Sequence, residues 1–501
     1  MLVPFRSPRR LRVTATTSAA LAVGLIAVAI SAIGSWIPSL WGDEAASLLS
    51  AERPLPTLLT EVLHVDAVHG TYYLLLHGWI QLFGTSPFAI RFPSALAIGA
   101  CAAAVVLIGA RMRSLPVGIA AGVVCAVLPR IAYVGAEARS YAFTAAIAAW
   151  LTLVLIAALS RHGRTRGLWI AYGVLLAVGV YMFLYLALLA VAHGIVLLIA
   201  ARRRRVLVPW AIATGAAAVA AGPIIVAGIA ERNQIAFLAS RNELSPQSVL
   251  VSIWFGQPAF AVLGWLLALG GIAIALVPWL RRRGGRGRRV RHPADLLVVA
   301  WFVVPSAILM GSSPLVAGFT ARYLAFTSPA VALLMTLPIA LLASRWRPAL
   351  VVGTALVVAA AVGPWVAERG PYSQNDSDWA VISADLAHVA KPGDAVVYDD
   401  GVRPSRRPRL ALRTYPISTP LLDPTLDQPF WRTDTWHDTT VSVATAAADG
   451  RFDGVTRVWV VEYATPTHTD SYGIADLERL GFTAGSTIAT HRSRIIEFTR
   501  P

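Results

Sequence analysis

Residues 14–50 read TATTSAALAVGLIAVAISAIGSWIPSLWGDEAASLLS, an uninterrupted apolar run that opens onto two adjacent carboxylates. At 1.5 Å per residue, about 20 apolar residues cross the roughly 30 Å hydrocarbon core of a bilayer. The run ends among Trp36, Pro38 and Trp41, and tryptophan suits a membrane–water interface. Asp43 and Glu44 follow at once. The preceding MLVPFRSPRRLR gives the run the outline of a signal peptide, but it is long enough to span and no small-residue cleavage site stands before WIPSLWGDE. It reads as an uncleaved first span.

The composition extends this reading to the whole chain. Of 501 residues, 56% are hydrophobic and only 14% charged, with a mean hydropathy of +0.62, which marks an integral membrane protein. The net charge of +16 does not indicate nucleic acid, because the arginines fall in short clusters between apolar runs and build no continuous basic face. Lys391 is the only lysine; with the abundance of alanine, this reads as high-GC coding bias. Cys101 and Cys125 both lie inside apolar runs, where a buried thiol is the ordinary state and neither a disulfide nor a metal site is indicated.

Segments able to span occur near 14–36, 88–110, 116–134, 140–160, 167–183, 185–201, 206–229, 259–280, 294–311, 323–343 and 348–366, about eleven in all. Charge tests this count independently. With a cytoplasmic N-terminus, alternation puts Arg111/Arg113, Arg161–Arg166, Arg202–Arg205, Arg281–Arg291 and Arg345/Arg347 all inside, as the positive-inside rule requires. The least secure joint is YMFLYLALL, which reads either as a tight hairpin or as one long bent helix. The expected fold is thus a multi-span α-helical membrane protein, with a transmembrane module over 1–367 and a small extracytoplasmic α/β domain over 368–501. In the latter, WAVISADLAHVAKPGDAVVYDD reads as helix, turn and strand and RVWVVEYAT as a strand, with a Ser or Asp cap at SDWAVISADL. The first outer loop, 38–86, contains LPTLLTEVLHV and TYYLLLHGWIQLFG, two one-sided apolar helices suited to the interface.

On the outer face Asp43 and Glu44 are joined by Asp66 and His69 in HVDAVHGTYY, Tyr72, Arg91 in SPFAIRFPSA, Glu137, Arg139 and Tyr141 in VGAEARSYAF, and Arg322 and Tyr323 in FTARYLAF. Taken alone, the two acids are as readily solvated loop residues. Arginines at outer span ends run against the positive-inside bias, and snorkelling to ordinary lipid is their bland explanation. Arg91, flanked by apolar residues, needs a phosphate or carboxylate partner. Carboxylates and guanidiniums together fit attack by a hydroxyl on a sugar carried by a lipid phosphate, the carboxylate taking the proton and the arginines the charge on the departing phosphate. No phosphate-binding glycine loop is present, and His64, His69 and His77 have no metal-ligand spacing, so no metal or other cofactor is indicated.

WGDEAASLLS, DAVHGTYYLLLHGWIQLFGTSPFAIRFPSAL, EARSYAF and RYLAFTSPA, in this order over about residues 14–345, resemble the bacterial branch of the C-type glycosyltransferase superfamily. That group includes protein O-mannosyltransferases and lipid A aminoarabinose transferases and has many actinobacterial members. The resemblance implies a polyprenyl-phosphate sugar as donor and inversion at the anomeric carbon. It makes Asp43 the general base and Glu44 a second acid or acceptor contact. Arg91 and Arg322 become donor-phosphate ligands, and Glu137, Arg139 and Tyr141 shape the pocket. His69 and Gly70 stand where the family often has prolines ahead of its tyrosine.

These readings lead to a cell-membrane glycosyltransferase moving mannose, or as runner-up arabinose, to a glycolipid, polysaccharide or secreted-protein acceptor. A lipid-linked sugar flippase is the competing class; it would carry ionisable residues near the midplane, whereas here they gather in outer loops. A reporter fused at the C-terminus is expected to be active only if it is periplasmic or extracellular in type. A cytoplasmic signal would overturn the odd span count.

Overall fold

Each apolar segment outlined above is helical in the computed structural model, which describes residues 8–160, 165–201, 204–231, 244–280, 293–313, 319–465, 468–469 and 472–501. Seven helices are long and apolar enough to cross a membrane: Thr14–Ala32, Pro87–Met112, Tyr141–Ser160, Pro258–Val277, Ala294–Ser312, Ala321–Ala343 and Ala349–Ala367. Two further candidates are bent pairs, Leu115–Val127 with Pro129–Gly135 at 62° and Arg205–Ala220 with Gly222–Ala230 at 54°. The last two expected spans are the shorter apolar helices Arg166–Met182 and Leu184–Ile199. Among the described residues the structure thus has seven to nine spans by length and apolarity, fewer than the eleven expected. The arginine cluster 281–291, and residues 161–164, 202–203 and 232–243, lie outside the described residues.

The chain forms two compact units: Met1–Ile33, Ala67–Thr71 and Arg91–Val366 in the first, and Gly34–Asp66, Tyr72–Ile90 and Ala367–Pro501 in the second. Most of the first outer loop, expected to go with the transmembrane module, therefore clusters with the C-terminal segment.

In the first unit, small residues let helices approach closely. A Cβ on Gly24 would lie 2.9 Å from the carbonyl oxygen of Gly99, and one on Gly99 would lie 2.9 Å from that of Gly24, the kind of backbone contact that drives helix association where lipid offers no hydrophobic gain. Proline sets the first break. Leu128, ahead of Pro129, is extended at φ −60° and ψ 125°, as a pre-proline residue prefers. A break in an apolar helix leaves polar backbone that lipid cannot satisfy; here Arg130 N–H donates to Trp254 O at 3.2 Å and its Nε to Ile253 O at 2.7 Å. YMFLYLALL resolves into two helices, separated by an extended Phe183 (φ −167°, ψ 115°) and a 3-10 turn Leu184–Leu186.

The second unit is built on a sheet. Strands β1 (Ala395–Tyr398), β2 (Leu426–Gln428), β3 (Thr439–Thr440), β4 (Arg457–Thr465), β5 (His468–Thr469), β6 (Thr483–Ala489) and β7 (Ser493–Thr499) give a five-stranded sheet in the order β1-β4-β7-β6, with β5 on β4, and a separate β2-β3 pair. β1 is parallel to β4, which is antiparallel to β7. Side chains alternate across it: Val396, Tyr398, Trp459 and Val461 enter one core with Trp379, Ile382 and Leu386, while Ala395, Val397, Val458 and Val460 enter another with Phe452, Leu477 and Phe482. Both faces are covered, which is why AVVY carries no polar residue. Asp378 precedes the helix Trp379–Val389 as expected but makes no side-chain cap. Its carboxylate instead accepts from Thr490 Oγ1 at 2.6 Å and Arg492 N–H at 2.9 Å, holding the β6–β7 turn.

Into the first of these cores the helix Gly42–Glu52 inserts Ala45 and Leu49, one turn apart on the same face. Its end is fixed by Arg53, which is 1% exposed and paired with Glu61 at 3.0 Å (Nε to Oε2). The same guanidinium donates to the carbonyl oxygens of Thr433 (3.0 Å), Phe430 and Thr435. Ser50 Oγ donates to Glu61 Oε1 at 2.7 Å. Burial pushes the Glu61 carboxyl up to about 7, against the lowering pull of Arg53. A folded-state value above the unfolded one means that the folded protein holds the proton more tightly. This contribution to stability is complete below about pH 4.5 and is lost as pH rises through about 7. The thermal midpoint of the full-length protein in detergent should therefore fall between pH 5 and 8, and Glu61→Gln should flatten that slope.

Candidate active site

The broken helix ending at Gly135 delivers the short segment 136–140, which carries two of the expected site residues. Glu137 has no exposed surface, and its Oε1 lies 3.3 Å from Arg322 Nη1. Ser94 Oγ, from the helix Pro87–Met112, donates to Glu137 O at 2.6 Å, and Arg139 N–H donates to the same oxygen at 2.9 Å. The segment is thus pinned by its own backbone before any ligand enters.

Arg139 Nη2 lies 2.9 Å from His69 Nε2. A guanidinium only donates, so this ring nitrogen accepts and the imidazole is neutral. Burial, reinforced by Arg139 and Arg322, holds the His69 pKa well below its usual value, in agreement with that tautomer. Arg322 comes from the 3-10 turn Ala321–Thr327, which is held by Trp301 Nε1 donating to Phe326 O at 2.8 Å and Trp254 Nε1 donating to Thr327 Oγ1 at 2.9 Å.

The Arg322 guanidinium lies 5.6 Å from the centre of the Tyr141 ring, within cation–π range. Tyr141 belongs to an aromatic cluster: its centroid is 5.7 Å from Phe183 and 6.2 Å from Tyr323, and Tyr185 is 5.3 Å from Phe183 and 5.5 Å from Tyr323. Arg91 is fully buried on the helix that supplies Ser94. His69, Glu137, Arg139, Tyr141, Arg322 and Tyr323 are therefore gathered in the first unit, at the ends of apolar helices.

Asp43, Glu44, Asp66 and Tyr72 belong to the second unit. Asp43 and Glu44 occupy the first turn of Gly42–Glu52, where the free N–H groups and the positive end of the helix favour carboxylates. Asp43 is partly exposed, while Glu44 is fully buried. The approach to this turn is tight: a Cβ on Gly42 would come within 3.0 Å of Ser405 Cα. Asp66 adopts φ 58° ahead of the helix Ala67–Phe83, a left-handed conformation that Asp tolerates better than most residues. Tyr73 Oη donates to its carboxylate at 3.2 Å, and Tyr72 is buried. His77 Nδ1 lies 2.8 Å from Ala51 O, and among the described residues no group of three His, Cys, Asp or Glu side chains gathers as for a metal.

Sequence reasoning missed Ser94, Phe183 and Tyr185. The two aromatics were in view in YMFLYLALL, a stretch read only for its turn. Nothing in FPSA marks Ser94, whose role is a hydrogen bond to a residue 43 positions away.

The fold is shared with ArnT from Cupriavidus metallidurans in the apo state, at 13% identity and a TM-score of 0.56 over 96% of this chain and 98% of that one. It is shared equally with the same enzyme bound to undecaprenyl phosphate (13%, 0.56, 95% and 97%). Archaeal oligosaccharyltransferase AglB from Archaeoglobus fulgidus, in complex with an inhibitory peptide and a dolichol-phosphate, matches at 11% identity and a TM-score of 0.50 over 88% of this chain and 69% of that one. Residues 71–226 match the family described as dolichyl-phosphate-mannose-protein mannosyltransferase. No curated protein matches the sequence. The chain thus resembles that mannosyltransferase family over residues 71–226 and shares the fold of ArnT.

Removing one member of a buried charge pair costs on the order of 3–5 kcal/mol, because the other is left uncompensated. Arg322→Met is therefore expected to lower the thermal midpoint, and Glu137→Gln in the same chain to restore most of it. A double-mutant cycle on the midpoints checks this coupling.

Proposed function

We propose that this protein is a glycosyltransferase that moves a sugar from a polyprenyl-phosphate carrier to a cell-envelope acceptor at the outer face of the membrane, with inversion at the anomeric carbon. The acceptor hydroxyl oxygen forms the new bond to C1 as the C1–O bond to the phosphate breaks. Asp43 takes the hydroxyl proton, and the phosphate leaves with the bonding electron pair. A general base of this kind contributes about 10²–10⁴-fold.

Arg322 and Arg91 are assigned to the donor phosphate, with Arg139 and Glu137 ordering them and Tyr141 and Tyr323 walling the sugar or the first carrier carbons. Glu44, Asp66, His69 and Tyr72 are assigned to substrate contacts. The observation that carries the reading is the cluster in which Glu137 meets Arg322 at 3.3 Å and Arg139 meets His69 at 2.9 Å, beside aromatic rings. Neutral His69 accepts from Arg139 and adds no charge of its own to the cluster. The family description supports a lipid-phosphate donor and favours mannose as the proposed sugar; undecaprenyl phosphate and dolichol-phosphate, bound by the two structural neighbours, support the same donor class. Arabinose is the runner-up sugar. The segment 368–501 is proposed to face the same side as Asp43 and to help hold a glycolipid, polysaccharide or protein acceptor.

The test is turnover of purified full-length protein against a panel of polyprenyl-phosphate sugars with envelope acceptors. One donor should be consumed, and Asp43→Asn should keep the helical circular dichroism while turnover falls about 10²–10⁴-fold. Consumption of none, or full turnover by Asp43→Asn, overturns the proposal.

A further inference from the structure

The helices Arg166–Met182 and Arg204–Ala220 border a groove of about 720 Å³ whose lining includes Arg166, Trp169, Gly173, Ala177, Ala213 and Ala217. The two helices run parallel and in step. Trp210 Nε1 donates to Tyr172 Oη at 3.3 Å, a Cβ on Gly173 would lie 3.1 Å from Ala213 O, and Tyr181 Oη donates to Ala220 O at 3.1 Å. Arg166 therefore marks one end of the groove. Beyond the other end, past Met182, lies Phe183 of the aromatic cluster around Tyr141 and Tyr323.

From Arg166 to Ala177 the helix rises about 16 Å, close to half of the roughly 30 Å hydrocarbon thickness. Small residues on both walls leave room for a chain one leaflet deep. Thr165 and Arg166 close the polar end, and Trp169 beside them suits the headgroup level. An arginine that only snorkels needs no such furrow beneath it.

We infer that this groove is a binding site for one anionic glycerophospholipid, its phosphate on Arg166 and one acyl chain between the two helices. Charge and depth select this occupant. The guanidinium calls for an anionic headgroup, and the one-leaflet depth fits an acyl chain entering from the face opposite the candidate active site. A carrier lipid in its reactive pose has its phosphate at the other end of the spans, near Arg322. The groove is separate from the proposed transfer reaction, but the choice of a glycerophospholipid over the carrier lipid rests on that reading.

Native mass spectrometry of the full-length protein, delipidated and then incubated with phosphatidylglycerol or phosphatidylcholine vesicles, tests the inference. Phosphatidylglycerol should be retained at one molecule per chain, at least fivefold over phosphatidylcholine. Arg166→Gln, at an exposed position, should remove that preference, and Ala216→Phe, on the groove wall, should fill the groove and abolish retention. Equal retention of both lipids, an unchanged preference in Arg166→Gln, or displacement of phosphatidylglycerol by undecaprenyl phosphate at equimolar amounts would overturn it.

Discussion

A carboxylate with no exposed surface at the end of a broken apolar helix is the constraint around which the first unit is arranged. A guanidinium reaches Glu137 there and offsets the cost of burying its charge, and that pairing links several distant pieces of chain. Arg322 is presented by the 3-10 turn that leads into the helix Ser328–Ala343, and Trp254 and Trp301 hold that turn by hydrogen bonds. Ser94 must hold the Glu137 carbonyl. Once these are in place, Tyr141, Phe183, Tyr185 and Tyr323 are brought ring to ring, and a cationic, aromatic surface follows from the needs of one buried acid.

The second unit answers a similar problem with a different partner. Arg53 is buried at the end of the helix that carries Asp43 and Glu44, and Glu61 together with the carbonyl oxygens of 430–435 accepts its charge. Ala45 and Leu49 of the same helix complete the core beneath β1 and β4. The helix that carries the two acids is therefore positioned by the C-terminal sheet.

Both arrangements keep buried polar groups neutral or paired. His69 is kept uncharged by burial and by the arginines beside it, so it can accept from Arg139 without competing for an anion. Asp43, at the first turn of its helix, is partly exposed while Glu44 is buried, so the two adjacent carboxylates stand in different surroundings.

By itself the sequence determined the membrane class, the helical segments and the two strands AVVY and RVWVVEYAT, because hydrophobic length and period are local properties of the chain. It also determined which charged residues stand at span ends, since each departs from an apolar background. Only the tertiary structure decided what those residues meet. The pairings Glu137–Arg322, Arg139–His69 and Arg53–Glu61 join positions 185, 70 and 8 residues apart, and no periodicity in the chain encodes such partners. Tertiary packing likewise decided that Asp378 binds the 490–493 turn instead of capping its helix, and that most of the first outer loop clusters with the C-terminal sheet. Ala45 and Leu49 offer an apolar face that a membrane surface or a protein core would satisfy equally, and the choice depended on a complementary core folding some 350 residues further along the chain.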